Sequence, residues 1–185
     1  MFIVVSGISG SGKNTVMNRL MQIRSTLKVL ERSSGTTRAP RKGDSDFNTY
    51  VYFSKEEFEQ KIQQGAFYEY ENVHGNYYGT LLERLEYVVA NQQFDFMRDI
   101  DVKGNINLKK YFKGKCPMVS IFLDVPDEVI RERLTKRGDN PEDIEKRISR
   151  GELERSYKNH YDLVINNVDL ETTIKTINEY LDSCK

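Results

Sequence analysis

The sequence predicts an α/β fold, in which helices wrap a parallel sheet core and a small α+β lobe is inserted into that core. Short apolar runs alternate with helical patterns over most of the chain, and this alternation is typical of a doubly wound parallel sheet. A glycine-rich loop joins the first apolar run to the first helical pattern. The alternation breaks from residue 34 to about residue 80, which indicates the inserted lobe. Ligands of such sheets bind at the carboxyl ends of the strands.

Five short apolar runs are the predicted strands of the core. The first is Phe2-Ile3-Val4-Val5, which is too short for a signal peptide and has no preceding basic region, so we expect a core strand. The other predicted strands are residues 28–33, 94–100, 118–124 and 163–166.

Helical patterns follow these strands. The first contains Val16, Leu20 and Ile23 on one face, and the later helices are predicted at residues 105–112, 127–137, 141–156 and 170–181. Two of them carry start signals. Pro126-Asp127 predicts a helix cap, and Asn140-Pro141-Glu142 predicts a cap, a proline in the first position and an acidic first turn.

The inserted lobe has its own local signals. Residues 50–53 and 67–70 are aromatic-rich and are predicted as strands on either side of a helix. Ser54 followed by Glu57 three residues later predicts a capping box at the start of that helix.

Composition narrows the functional class without naming it. The 185 residues are enough for one ordinary core with a small inserted lobe. Basic and acidic residues balance at 28 each, which argues against a nucleic-acid or membrane surface built on net charge. The two cysteines, Cys116 and Cys184, have no spacing typical of zinc sites or disulfide frameworks. No apolar stretch approaches membrane-spanning length, so we expect a soluble cytoplasmic protein, either monomeric or homodimeric, with small-molecule substrates.

The loop GISGSGKNT at residues 7–15 is a phosphate-binding loop in its required setting, between a strand and a helix. Its glycines let the backbone take positive φ angles and bring successive N–H groups around an anion, and the helix adds its positive end. The lysine supplies a point charge for the β- and γ-phosphates. The residues that we expect at the phosphates are Gly7, Ser9, Gly10, Ser11, Gly12, Lys13, Asn14 and Thr15.

Asn14 departs from the usual pattern of such loops. A Ser or Thr hydroxyl normally binds Mg²⁺ at this position, whereas an amide oxygen is a neutral ligand with a different reach. We expect Thr15 to take over part of that role. Asp99, at the end of a predicted strand, is a candidate to hold Mg²⁺ through water.

A second anion site is predicted in the inserted lobe. Arg38 and Arg41 lie three residues apart on a loop, so their planar guanidinium groups can grip one phosphate together. Tyr50, Tyr78 and Thr80 add hydroxyl groups that could reach the same ligand. Packing within the lobe is the alternative interpretation for each tyrosine taken singly.

These motifs together resemble the guanylate kinase family over nearly the whole chain. The segments GISGSGKNT, SSGTTRAPRKGD, TYVYFS, FYEYENVHGNYYGT and DIDVKG occur in the family's order and approximate spacing. The resemblance implies a core (residues 1–33, 81–126 and 157–185), a GMP-binding lobe (34–80) and a lid (127–156). It also implies transfer of the γ-phosphate of ATP to GMP and dGMP, with Mg²⁺, in purine nucleotide metabolism.

The resemblance assigns roles to matched positions. It implies that the GMP phosphate is held by Arg38, Arg41, Tyr50 and Tyr78. It implies that the guanine edge is read by Ser34, Glu69, Thr80 and Asp101. Asn166 would lie near the ATP base.

The base assignment also makes chemical sense from the residues. Guanine presents N1–H and its exocyclic amine as adjacent donors, and a carboxylate such as Glu69 accepts from both. Ser34 and Thr80 can donate to the guanine O6 atom. Adenine reverses this pattern, so a site built for guanine rejects AMP. An exposed charge on a strand is the alternative interpretation for Glu69.

Catalysis is expected to come from positioned positive charge, because phosphoryl transfer needs little covalent help. A basic helical run precedes Gly138, and a solvated surface is its default interpretation. The resemblance matches Arg133, Arg137 and Arg147 to the family's lid arginines, which would close on the donor phosphates. With Lys13 and Arg38, they are the expected catalytic residues. Arg98 is unusual in a buried strand; pairing with Asp95 and approach to the phosphates are both open.

Two other functions remain as alternatives. A related kinase on the same scaffold could act on another small molecule, although the combination of Ser34, Glu69, Thr80 and Asp101 argues against it. A non-catalytic binding module is also possible for guanylate-kinase-like domains, but the intact loop lysine, Lys13, disfavours it.

Overall fold

The computed structural model describes residues 1–40 and 47–184. Its strands are β1 (Phe2–Gly7), β2 (Leu27–Val29), β3 (Ser34–Thr36), β4 (Tyr50–Tyr52), β5 (Phe67–Val73), β6 (Asn76–Leu81), β7 (Asp95–Asp99), β8 (Met118–Asp124) and β9 (Leu163–Asn166). Its helices are α1 (Lys13–Ile23), α2 (Lys55–Gln63), α3 (Leu82–Ala90), α4 (Val102–Phe112), α5 (Asp127–Arg137), α6 (Pro141–Ser156) and α7 (Leu170–Ser183), with a 3₁₀ turn at Lys158–His160.

The strands form two sheets. One has five strands in the order β2-β7-β1-β8-β9, and the other has four strands in the order β4-β3-β6-β5. In the first sheet, β1 pairs in parallel with β8, and β8 pairs in parallel with β9. Their carboxyl ends therefore meet at one edge, where Gly7, Asp124 and Asn166 lie. The predicted parallel α/β core is confirmed.

The chain divides into two compact units, residues 1–27 with 97–185 and residues 28–96. The first unit contains the phosphate-binding loop and helices α5 and α6, and its strand β1 is buried from Phe2 to Val5. The second unit contains the four-stranded sheet. No helix in the two described stretches of the chain is long and apolar enough to cross a membrane.

The helices whose bounds were predicted best from the sequence are those with strong capping signals. Helices α5 and α6 have the predicted bounds. Ser54 and Glu57 form the predicted capping box of α2, and the Asn140 side chain accepts a hydrogen bond from the N–H of Glu142 at 2.8 Å. The cap predicted at Pro126-Asp127 lies at Pro126, which makes no side-chain hydrogen bond, and Asp127 is the first helical residue.

Several predicted bounds differ from the structure. Helix α4 begins at Val102 rather than residue 105, because Asp101 caps it by accepting from the Gly104 N–H at 2.8 Å. Helix α7 runs to Ser183, two residues beyond the predicted end. The strand predicted at 28–33 is only Leu27–Val29, and the next strand begins at Ser34. Strands β3 and β6 and helix α3 were not predicted.

Candidate active site: a phosphate loop with three arginines and a polar row across a sheet

The loop between β1 and α1 has the backbone of an anion cradle. Gly7, Gly10 and Gly12 have φ angles of 147°, 88° and 89°, a region in which other residues are strained. A Cβ atom on Gly7 would lie 2.4 Å from the carbonyl oxygen of Leu123, so the neighbouring strand also demands glycine there. Gly12 is the cap of α1, and the loop N–H groups therefore converge at the positive end of this helix.

Lys13 lies over its own loop. Its Nζ atom donates to the carbonyl oxygen of Gly7 at 2.6 Å and to that of Ile8 at 3.3 Å. Burial lowers the pKa of the Lys13 ammonium, while the negative charges of Asp99 and Glu154 oppose this shift. A phosphate in the loop would favour the charged lysine and offer its Nζ stronger acceptors than these carbonyl oxygens.

Arg133, Arg137 and Arg147 lie on α5 and α6, and two of them contact the loop directly. Arg133 donates to the carbonyl oxygens of Ser11 at 3.4 Å and Asn167 at 2.9 Å. Arg147 donates from Nη1 to the Ser9 hydroxyl at 2.6 Å. Arg137 instead binds the carboxylate of Asp139 through Nε and Nη2. The predicted arginines and the loop thus lie in one unit of the molecule.

The oxygen donors predicted for Mg²⁺ also lie in this unit. Asn14 and Thr15 are exposed in the first turn of α1, and Asp99 is the last residue of β7. Asp99 lies near enough to Lys13 to oppose the fall of the lysine pKa. An amide, a hydroxyl and a carboxylate are the oxygen ligands that suit Mg²⁺. Arg98, next to Asp99, is buried with 4% exposure.

Asn166 is exposed at the carboxyl end of β9, where it pairs in register with Asp124. It helps to line a cavity of about 610 Å³ whose walls also include Arg155 and Lys158. Its neighbour Asn167 is buried and donates from Nδ2 to the Ser11 carbonyl oxygen at 2.7 Å. Asn167 was missed by sequence reasoning, although its position after a predicted strand was a signal.

Glu154 is a second residue that sequence reasoning missed. Burial raises the pKa of its carboxyl, an effect that Lys13 and Arg150 oppose and Asp101 reinforces. The helix that carries it approaches the loop closely, because a Cβ atom on Gly151 would lie 3.0 Å from Ile8. A glycine inside a strong helical pattern was the available signal of this close approach.

In the other unit, the predicted GMP-binding residues form a row across the four-stranded sheet. Ser34 on β3 is opposite Tyr50 on β4 and Thr80 on β6, and Thr80 is opposite Glu69 on β5. Residues in register point to the same face of a sheet. Consistent with this, the Thr80 hydroxyl donates to the Glu69 carboxylate at 3.2 Å. We call Tyr50, Ser34, Thr80 and Glu69 the polar row.

The two faces of this sheet have opposite chemistry. Side chains alternate along a strand, so Gly35 and Gly79 face away from the polar row. A Cβ atom on either glycine would lie less than 3.0 Å from the Phe67 ring. Phe67 belongs to an apolar cluster with Phe58 and Leu81 that packs helix α2 on this side. The apolar face is therefore filled, and the polar row lies on the opposite face.

Arg38 and Tyr78 extend the polar row toward one end of the sheet. Arg38 is buried, with its guanidinium 4.8 Å from the centre of the Tyr50 ring, a cation–π distance. Tyr78 is two residues before Thr80 on β6 and therefore shares its face. Arg41, predicted as the second phosphate arginine, lies outside the described residues. Asp101 lies in the first unit, as the cap of α4.

Comparisons with known proteins agree on one family. The sequence profile described as "Guanylate kinase" matches residues 1–184. The chain is 37% identical to a guanylate kinase of Chlorobium luteolum over 95% of this chain and 87% of that protein. It is 40% identical to a guanylate kinase of Bacteroides fragilis over 97% and 89% of the two chains.

A solved structure gives the same result. The crystal structure of guanylate kinase from Anaplasma phagocytophilum matches with a TM-score of 0.71 and 28% identity, over 99% of this chain and 85% of that chain. The profile match over nearly the full chain and the identity to these relatives confirm the resemblance seen in the motifs, and this chain belongs to the guanylate kinase family.

Proposed function

We propose that this chain transfers the γ-phosphoryl group of ATP to GMP, giving ADP and GDP, and that it also accepts dGMP. Membership of the guanylate kinase family supports the reaction. Within this molecule, the polar row gives the strongest support for this reaction. Two hydroxyls and a carboxylate lie there in register on adjacent strands. Guanine needs this combination, because one of its edges places two donors next to an acceptor.

Within this proposal, the guanine edge meets Glu69, Ser34 and Thr80. The Glu69 carboxylate accepts from N1–H and the exocyclic amine, and the hydroxyls donate to O6. Before a base arrives, the Thr80 hydroxyl donates to Glu69 at 3.2 Å and holds the carboxylate in place, and its single hydrogen would turn to O6 when guanine binds. Asp101 would complete the reading of the base. AMP would leave the carboxylate facing an acceptor, so it should be a poor substrate.

The GMP phosphate would be held by Arg38, Arg41, Tyr50 and Tyr78. The cation–π contact of Arg38 with Tyr50 supports this, because it restricts an arginine that otherwise has many rotamers. Restricting the side chain in advance lowers the entropy cost of gripping a phosphate. Tyr50 would then act both as a hydroxyl donor and as the surface that orients the guanidinium.

The donor phosphates of ATP would occupy the glycine-rich loop. Lys13 would leave its two carbonyl acceptors for the β- and γ-phosphates, and Arg133, Arg137 and Arg147 would surround the transferred group. Charge spreads over the equatorial oxygens in the transition state, so fixed positive groups accelerate transfer. They also exclude water, which limits hydrolysis of ATP.

Mg²⁺ is part of this proposal as the partner of ATP. Its oxygen donors would be Asn14, Thr15 and Asp99, and the bound ion would neutralise charge on the β- and γ-phosphates. The amide oxygen of Asn14 has a different reach from the hydroxyl oxygen that usually binds Mg²⁺ at this position. Thr15 and Asp99 would therefore take more of this role. The cytoplasmic location and the link to purine nucleotide metabolism stay predictions from the sequence.

The test is the formation of ADP from Mg²⁺–ATP with GMP, dGMP, AMP, UMP, CMP and dTMP as separate acceptors. We expect turnover confined to GMP and dGMP, and its loss in Lys13→Met as a control for contaminating kinases. Faster turnover with another monophosphate would overturn the base assignment. Binding of GMP without turnover of any acceptor would favour the binding-module alternative.

A further inference from the structure

Asp139 lies between two arginines that come from different helices. Its carboxylate binds Nε of Arg137 at 3.1 Å and also Nη2 of the same residue, and it lies 4.0 Å from Nε of Arg147. Arg137 ends α5, and Arg147 is in the second turn of α6. We propose that Asp139 is a positioning residue that holds both guanidinium groups beside the phosphate-binding loop. This inference rests on the proposed function, in which these arginines meet the donor phosphates.

The backbone on both sides of Asp139 is fixed. Gly138 ends α5 with a φ of 86°, and the Asp139 N–H donates to the carbonyl oxygen of Leu134 at 3.1 Å. This is the hydrogen bond of a Schellman cap, and Leu134 is buried. Asn140 then caps α6. Because its neighbours are fixed in this way, Asp139 can place its carboxylate with little freedom beyond its own side-chain rotation.

The contact with Arg137 leaves part of that guanidinium for another anion. Asp139 takes the edge formed by Nε and Nη2, so Nη1 is not part of this fork. The hydrogen bond from Arg137 lowers the pKa of the Asp139 carboxyl below its ordinary value, and the charges of Arg137 and Arg147 add to this effect. The carboxylate is therefore ionised at neutral pH, as a fixed counter-charge must be.

Arg147 connects this carboxylate to the loop. Its Nη1 atom donates to the Ser9 hydroxyl at 2.6 Å while its Nε atom faces Asp139. The guanidinium group is thus hydrogen-bonded to the loop on one side and lies at ion-pair distance from Asp139 on the other. Asp139 consequently contacts arginines at the end of α5 and in the second turn of α6, and the second of these arginines contacts the phosphate-binding loop.

The energetic reason for such a carboxylate is the cost of bringing two arginines together. Like charges near one site repel, and each long side chain loses rotamer entropy when it is ordered. Asp139 offsets the repulsion and orders both groups before the substrate binds. Groups that are already placed need no reorganisation when charge develops on the transferred phosphoryl group.

The test compares Asp139→Asn with Glu145→Gln. Glu145 on α6 forms an ion pair with Arg131 on α5, at 2.9 and 3.2 Å, and among the described residues this pair has no hydrogen bond to the loop. For Asp139→Asn we expect kcat for GMP to fall about tenfold, because fixed positive charge at the transition state is lost. The KM for GMP should stay within about twofold, since the acceptor site keeps its contacts. Glu145→Gln should keep both constants.

The affinity for ATP separates positioning from simple electrostatics. Asp139→Asn removes a negative charge near the donor site, so the Kd of ATP measured by calorimetry should stay the same or fall. A lower kcat with unweakened ATP binding is the signature of lost positioning. Asp139→Glu restores the charge on a longer side chain and should recover part of kcat. Equal kcat values for wild type, Asp139→Asn and Glu145→Gln would overturn the proposal.

A second readout does not depend on the proposed activity. The Nε–H and Nη2–H signals of Arg137, the two groups that donate to Asp139, should be sharp and slowly exchanging in ¹⁵N NMR spectra of the wild type and of Glu145→Gln. They should broaden or exchange faster with water in Asp139→Asn. Unchanged signals in that variant would overturn the proposal even if the chain phosphorylates another acceptor. Changed signals in a chain without GMP turnover would support the positioning role and reject only the reaction.

Discussion

Asp101 combines two functions at the residue scale, a structural one seen in the fold and a proposed one at the base. Its side chain caps α4 through the Gly104 N–H at 2.8 Å. The family resemblance assigns the same carboxylate to guanine. An aspartate has two oxygens, so one can cap the helix while the other accepts from a ligand.

Two substitutions separate these roles of Asp101. Asp101→Asn keeps an oxygen acceptor for the cap, so we expect the free energy of unfolding to change by less than about 0.5 kcal/mol, whereas Asp101→Ala should lower it by about 1 kcal/mol. Both should lower kcat/KM for GMP about tenfold or more if the charge reads guanine. Denaturant unfolding and steady-state kinetics give these values. Full GMP efficiency in Asp101→Asn would leave Asp101 as a cap alone.

The sequence identified individual residues where a motif carries its chemistry in a short span. Gly7, Gly12 and Lys13 are in this class, because the turn and the charge act within a few residues. Asn167 was not predicted, because its partner is set by packing of distant segments. Asp139 was not predicted either, because the turn that brings it between Arg137 and Arg147 is set by the packing of α5 and α6. The hydrogen bond from Asn167 to Ser11 joins residues far apart in the chain. No local periodicity reports such a contact.

At the scale of elements, Gly12 and Gly138 are two glycines at helix ends that have nearly the same φ angle but different surroundings. Gly12 begins α1 with a φ of 89°, and Gly138 ends α5 with a φ of 86°. The backbone strain of any other residue should therefore be nearly equal at the two positions. Their surroundings differ: a Cβ atom on Gly12 would lie 2.8 Å from Nδ2 of Asn167, and one on Gly138 has no neighbour within 4 Å among the described residues.

Substitution by alanine at each position should therefore change stability and ATP binding to different extents. Gly138→Ala should lower the free energy of unfolding by about 1–2 kcal/mol through backbone strain alone. Gly12→Ala should cost more, because Asn167 must shift, and it should weaken ATP binding about tenfold as the loop reshapes around its anion site. Chemical denaturation and calorimetry with ATP measure both effects. Equal ATP affinity in the two variants would contradict the account of the loop.

The elements that were predicted well are those with strong local signals. Helix α6 has a cap, a proline in its first position and an acidic first turn, and its bounds were correct. Strands β3 and β6 were missed because SGT and NYYGTL carry no apolar alternation. Cross-strand pairing and the aromatic cluster behind the sheet specify these strands, and neither is visible in a local pattern.

At the scale of the whole molecule, the contacts of the chain form two compact units. The unit that carries the polar row spans residues 28–96, a wider range than the inserted lobe proposed from the sequence. The loop and its arginines belong to the other unit. The unit 28–96 therefore holds the polar row proposed for the acceptor base, and the other unit holds the residues proposed for the donor phosphates, together with Asp101.

The central claim is that the polar row reads guanine through Glu69. IMP tests it directly, because hypoxanthine keeps N1–H and O6 but lacks the exocyclic amine. We expect the wild type to prefer GMP over IMP by about 10²-fold in kcat/KM, since one charge-assisted hydrogen bond is at stake. Glu69→Gln should bring this ratio close to one while the KM for ATP stays unchanged.

The measurement is therefore the ratio of kcat/KM for GMP to that for IMP, in the wild type and in Glu69→Gln, with Glu86→Gln on the exposed side of α3 as the matched control. The account predicts a large ratio that collapses only when Glu69 is changed. A ratio that is the same in all three proteins would contradict it, because the carboxylate would then not be in contact with the guanine amine.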